Sequence, residues 1–191
     1  MQKKVITPLL LAASLGLATS AAWAASTSEA PYGRAHFHTF KDINHIKTLK
    51  TVWDFNFQNP AMVGVVFNNL AAFIKAVDTY GPHSFRPWKI VVVSHGPEVV
   101  VWDRRNYQKY KTIVDRAHSF AEQGVRFEVC RNDAAALGLK PRNLDGFIKV
   151  IPAGPYAIAY WQNKGYAAME FGATVPTTAV TPYNKADLRK R

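Results

Sequence analysis

Apolar and polar residues follow two alternating rhythms along this chain, and the alternation lays out a fold. From Thr48 to Phe55 apolar and polar positions alternate singly, with β-branched and aromatic types, which predicts a strand. Asn59-Pro60 then opens a segment from Ala61 to Tyr80 in which Val63, Val66, Phe67, Leu70, Phe73, Ile74 and Val77 recur at three-and-four spacing, predicting an amphipathic helix that Gly81-Pro82 stops. Lys89 to Ser94 is a continuous β-branched run ending at His95-Gly96-Pro97, and a strand apolar on both faces belongs inside a covered parallel sheet. Residues 106–123 read as a second helix stopped by Gly124, and Val125 to Cys130 as the next strand. A short helix over Asn132 to Leu137 follows, then a strand from Phe147 to Ile151 and a turn at Pro152-Ala153-Gly154-Pro155. A helix from Tyr156 to Lys164 and a last strand from Tyr166 to Phe171 complete the pattern.

Strand and helix alternate five strands deep, which argues for one α/β domain over residues 48–171, with a parallel sheet and helices on both faces. In such folds ligand chemistry gathers at the carboxyl ends of the strands. Residues 25–47 carry no clear periodicity and read as an extended arm, and residues 172–191 as a polar, basic tail.

The first residues read as an export signal. Lys3 and Lys4 precede an apolar, acid-free run from Val5 to Leu17, and Ala22-Trp23-Ala24 is a cleavage site of the Ala-x-Ala type. That run falls short of the roughly 20 apolar residues a spanning helix needs. Residues 1–24 are therefore expected to be a signal peptide, the mature chain to span no membrane, and the location to be periplasmic. Removing Lys3 and Lys4 lowers the net charge from +11 to +9. The charge suits anionic partners, but the basic residues are dispersed, and nucleic acid is a poor candidate outside the cytoplasm.

Among 191 residues there is one cysteine, so no internal disulfide can form. Cys130 ends a predicted strand and precedes a helical segment, Arg131-Asn132-Asp133. The helix N-terminus and the Arg131 cation favour thiolate, the reactive form of cysteine, whereas the Asp133 carboxylate opposes it. From position alone, a reactive thiol and a small buried hydrophobe both fit.

The stretch Gly124 to Asn132, with Leu137-Gly138-Leu139, Val150-Ile151-Pro152-Ala153-Gly154 and Gln162 to Tyr166, resembles the DsrE/DsrF-like family. Lys89 to Gly96 resembles that family's second strand and turn, and a weaker match runs from Val52 to Val77. The resemblance implies a three-layer α/β/α domain with a five-stranded parallel sheet, assembled as trimers or hexamers. It further implies a sulfur carrier whose matching cysteine, here Cys130, holds sulfur as a persulfide. Arg131 and Asn132 would support it. The chain departs from the family at Asp133, where a neutral hydroxyl residue is more usual, and in its export signal and extensions.

His95 ends the second predicted strand on the same sheet edge as Cys130, where it could contact an anion or a sulfur species. His36 and His38, with His45 nearby, have too few companions for a metal site, so none is expected. The aromatics Trp53, Trp88, Trp102, Tyr107, Tyr110, Tyr156, Tyr160 and Trp161 suit either core packing or a subunit interface. A Gly-x-Gly-x-x-Gly loop, a Gly-x-Ser-x-Gly elbow and a His-Glu-x-x-His pair are all absent from the sequence, which removes the usual nucleotide-binding and hydrolase signatures and leaves no cofactor implied. The expected function is thus a periplasmic, homo-oligomeric sulfur carrier, more a carrier than a turnover enzyme, with its donor and acceptor unread. The alternative is a non-catalytic oligomeric binding module with a buried, inert Cys130 and a basic surface for an acidic partner.

Overall fold

The strand-helix alternation closes into a single five-stranded parallel sheet in a computed structural model that describes residues 35–37 and 46–170. The signal segment, most of the arm and the tail lie outside the described residues. The strands are β1 (Lys50–Phe55), β2 (Lys89–Ser94), β3 (Arg126–Cys130), β4 (Ile148–Ile151) and β5 (Ala167–Glu170). Their order across the sheet is β4-β3-β2-β1-β5. The helices are α1 (Met62–Tyr80), α2 (Tyr107–Glu122), α3 (Arg131–Ala136) and α4 (Gly154–Asn163).

The two faces of the sheet are covered unequally. On one, Trp53, Phe55, Ile90, Val92, Phe127 and Val129 pack against the apolar stripes of α1 and α2, with α3 joining through Ala134. By length and composition α1 is apolar enough to cross a membrane, but its Val63, Val66, Phe67, Leu70, Ile74 and Val77 are buried in this core. The opposite residues, Val52, Val91 and Val93, meet α4 alone, through Ala157 and the half-buried Ile158 and Trp161. This split follows from the period of two along each strand.

Several elements differ from the sequence reading. Residues 97–102 and 104–106 form 3-10 turns that bury Val99, Val101 and Trp102 at 0% exposure, where sequence periodicity gave no element. A six-residue apolar stretch ahead of α2 has neither strand nor helix period, so only its tertiary burial fixes it. Helix α4 starts at Gly154 rather than Tyr156, because Pro155 lies in its first turn, where a missing N–H costs nothing. Of the aromatics, Trp53 and Trp102 are core residues, whereas Tyr156 and Tyr160 are 64% and 46% exposed.

Neighbouring strands β3 and β4 send their chains to opposite faces: β3 runs into α3 on the α1/α2 side, and β4 into α4 on the other. A gap between diverging connections at the carboxyl edge is the switch point where open α/β sheets bind ligands. Cys130 is the last residue of β3 and pairs in register with Ile151, the last of β4. The only cysteine therefore stands at the switch point.

Candidate functional site

The site is built from four strand ends. Cys130 is the N-cap residue of α3, held in extended backbone at φ −63° and ψ 119°, and is 2% exposed. Backbone N–H groups of Asp133, in the first turn of α3, and of Gly154, at the start of α4, favour the anionic form of its sulfur. Two helix N-termini, one from each face of the sheet, thus act on one thiol. Against them, burial pushes the Cys130 thiol up, and a hydrogen bond with the Asp133 carboxylate adds to the rise. Of the opposing effects weighed from the sequence, the Asp133 carboxylate acts as expected, and burial adds the larger rise. Arg131 and Asn132 are exposed, and Arg131 is not among the groups acting on the sulfur. At the start of this short helix both side chains are turned to solvent.

If Asp133 helps to hold the proton on Cys130, Asp133→Asn should move the midpoint of Cys130 alkylation to lower pH, read from the rate of iodoacetamide labelling across a pH series. An unmoved midpoint would leave burial as the sole cause.

His95 stands beside this centre, at the end of β2. Its Nε2 lies 2.6 Å from Asp54 Oδ1 at the end of β1, with the two side chains 11% and 28% exposed. The hydrogen bond to Asp54 raises the His95 pKa above 6.5, more than burial lowers it, and Glu98 and Asp133 add to the rise. A raised folded value means that the pair stabilises the fold fully below the unfolded histidine's value and loses that contribution as pH rises through the folded one. His95 also packs against the start of α4. A Cβ placed on Gly154 would sit 2.3 Å from both Cβ and Cγ of His95 and 2.8 Å from Cδ2. Only glycine fits there, and its N–H is one of the two that favour the Cys130 anion. The Asp54–His95 pair therefore buttresses the α4 N-terminus on which the sulfur rests.

Behind the site lies a buried carboxylate that binds two loops. Glu98, 0% exposed, accepts from Phe57 N at 2.9 Å, from Ser94 Oγ at 2.6 Å and from Gly96 N at 3.2 Å. Ser94 Oγ in turn accepts from Trp102 Nε1 at 3.0 Å. These bonds fix the β1–α1 connection to the turn after His95.

The structure thus places Cys130, Asp133 and His95 from the sequence reading at the same sheet edge, leaves Arg131 and Asn132 exposed, and adds Asp54, Glu98 and Gly154. Asp54 and Glu98 had a signal, as acids lodged in apolar runs. Gly154 had none beyond a turn-like Pro-Ala-Gly-Pro. His36 is exposed, while His38 and His45 lie outside the described residues. Among the described residues no group of three or more His, Cys, Asp or Glu is placed to hold a metal.

With a strand-end cysteine at the switch point of a five-stranded sheet, comparison with known proteins decides the family. The model of the DsrE/DsrF-like family matches residues 56–171. The chain belongs to the DsrE/DsrF-like family. Its solved structural neighbours include a protein of unknown function from Methanobacterium thermoautotrophicum, 22% identical, with a TM-score of 0.52 over 64% of this chain and 99% of that one. A conserved protein of unknown function from Bacteroides thetaiotaomicron is 14% identical, with a TM-score of 0.46 over 68% of this chain and 98% of that one. The first of these shares the fold. No curated protein matches the chain. The matched segment of this DsrE/DsrF-like chain contains three of the site's four strand ends, those of β2, β3 and β4, with Asp54 of β1 just ahead of it, and family membership suggests sulfur relay at a coarse level.

Proposed function

We propose that this chain handles sulfane sulfur, with Cys130 taking it up as a persulfide and passing it on. The observation that carries the assignment is the place of Cys130 at the β3/β4 switch point, in register with Ile151 and capping α3. Thiols exchange sulfur as thiolates, and anionic sulfur is what the Asp133 and Gly154 N–H groups favour. The thiol proton passes to solvent, and the Cys130 thiolate attacks the outer sulfur of a donor persulfide R–S–SH. The donor S–S bond breaks, R–S⁻ leaves and takes up a proton, and the products are Cys130–S–SH and R–SH. Delivery repeats the exchange: an acceptor nucleophile attacks the outer sulfur and the Cys130 thiolate leaves. Donor and acceptor balance each step between them, so the chain works as a carrier rather than a turnover enzyme. The same proposal has the chain act outside the cytoplasm, as an assembly of identical subunits.

Alkylation of the folded, signal-free protein by iodoacetamide tests this reading. A sulfur-handling Cys130 reacts without denaturant, with a pH midpoint above the roughly 8.5 of a free thiol. Labelling that appears only in denaturant would make Cys130 a packing residue and leave the binding-module reading, which its 2% exposure favours.

A further inference from the structure

Beside α4, on the thinly covered face of the sheet, lies a cleft of about 240 Å³ lined by Arg126, Glu128, Ile151, Tyr156, Tyr160 and Trp161, among others. The strand register places its two ends. Ile151 is the in-register partner of Cys130, so the upper end adjoins the thiol. Arg126 begins the same strand whose last residue is Cys130, four residues away, or about 13 Å at the rise of a β-strand. The walls between are aromatic, with Tyr160 and Trp161 edge-to-face at 5.1 Å between centroids.

The lower end is a prepared anion site. Glu128, 2% exposed, is already satisfied: its Oε1 accepts from Arg126 Nε at 2.5 Å and its Oε2 from Trp161 Nε1 at 2.9 Å. Those bonds, with the stacking of the Arg126 guanidinium over the Trp161 ring at 5.1 Å, fix the plane of the fork. Among the described residues, Arg126 Nη1 and Nη2 make no hydrogen bond. Lys149, exposed and in register with Glu128, adds a second positive charge to the same face. A fixed guanidinium edge with two open nitrogens matches a carboxylate in bidentate fashion.

We infer that this cleft seats a peptide-sized thiol persulfide, with its carboxylate on Arg126 and its outer sulfur at Cys130. The inference rests on the sulfur-handling reading and names the donor class for it. The separation of the two ends selects length: free cysteine, whose carboxylate is adjacent to its sulfur-bearing carbon chain, is too short to bridge them. The transfer is the exchange already written, with the peptide thiol as R–SH.

Glutathione persulfide and its diethyl ester differ in the carboxylates and share the reacting sulfur. With the wild-type folded protein, the acid should load Cys130 roughly tenfold or more faster than the ester, followed by mass spectrometry. Arg126→Gln should bring the acid down to the rate of the ester, and Arg126→Lys should restore part of the difference. S-methylglutathione, which cannot transfer sulfur, should bind the wild type in a titration followed by tryptophan fluorescence and bind Arg126→Gln more weakly. Equal loading by acid and ester, with no S-methylglutathione binding, overturns the cleft while leaving sulfur handling intact if inorganic polysulfide still loads Cys130. S-methylglutathione binding without loading by any donor, inorganic polysulfide included, would sink the sulfur-handling reading and with it the assignment of a persulfide to the cleft.

Discussion

Glu98→Ala is expected to be among the most destabilising single substitutions in this chain, by roughly 3 kcal/mol or more, because it strands buried donors rather than removing a contact. Three groups point at that carboxylate, the N–H groups of Phe57 and Gly96 and the hydroxyl of Ser94. With Glu98 0% exposed, bulk water does not reach those donors in the folded chain. For a domain of this size the loss corresponds to a fall in melting temperature of roughly 6 to 12 °C. Glu98→Gln keeps one acceptor oxygen and should cost less, about 1–2 kcal/mol. The pH dependence has a definite sign. Burial raises the Glu98 pKa above 4.5, so the folded state holds the proton more tightly than the unfolded one. Its contribution to stability is therefore greatest at low pH and falls as pH rises from the unfolded value through the folded one. Glu98→Gln should flatten that slope in a series of thermal melts. An alanine variant that melts with the wild type would show that the loops do not depend on the carboxylate.

Gly154→Ala should damage the site itself. The new methyl would meet His95 at 2.3 Å, inside any real carbon–carbon contact, and the obstacle is the root of the histidine side chain rather than a flexible end. Either α4 lifts or His95 swings off Asp54, at a cost of about 2–3 kcal/mol of overpacking. Both responses withdraw the Gly154 N–H from Cys130, which removes a group that favours its anion. The expected result is a lower melting temperature together with a Cys130 alkylation midpoint displaced further upward. His95→Gly in the same background removes both the Cβ and the ring that the methyl meets and should recover part of the stability. A Gly154→Ala protein with wild-type melting and labelling would contradict the close approach of α4 to His95.

The sheet was legible because each strand and helix is long enough to show its period. Lys89–Ser94 is bounded identically in sequence and structure, and α1 differs only in its start, by one residue. The 3-10 turns at residues 97–106 were not legible, since short tight turns have no period to detect and are held by burial of Trp102 and by the Glu98 carboxylate. At the site, sequence adjacency gave Cys130 its place at a helix start and Asp133 its opposition to the thiolate, but not the burial that dominates. Arg131 is next in the chain yet turned outward, whereas Asp133 and Gly154 act on the sulfur. Gly154 lies 24 positions further along and reaches Cys130 only because β4 pairs with β3. Pairing of Asp54 with His95 likewise needs β1 and β2 side by side, and no local pattern states it.

The central claim is that Cys130 accepts and gives up a sulfur atom, and intact-protein mass spectrometry of the folded chain tests it most directly. After exposure to polysulfide and removal of the excess, the account predicts a mass gain of one sulfur atom. That gain should be absent from Cys130→Ser and lost again from the wild type on adding an acceptor thiol. A wild-type mass that stays unchanged in the folded state, or a gain that survives in Cys130→Ser, would contradict it.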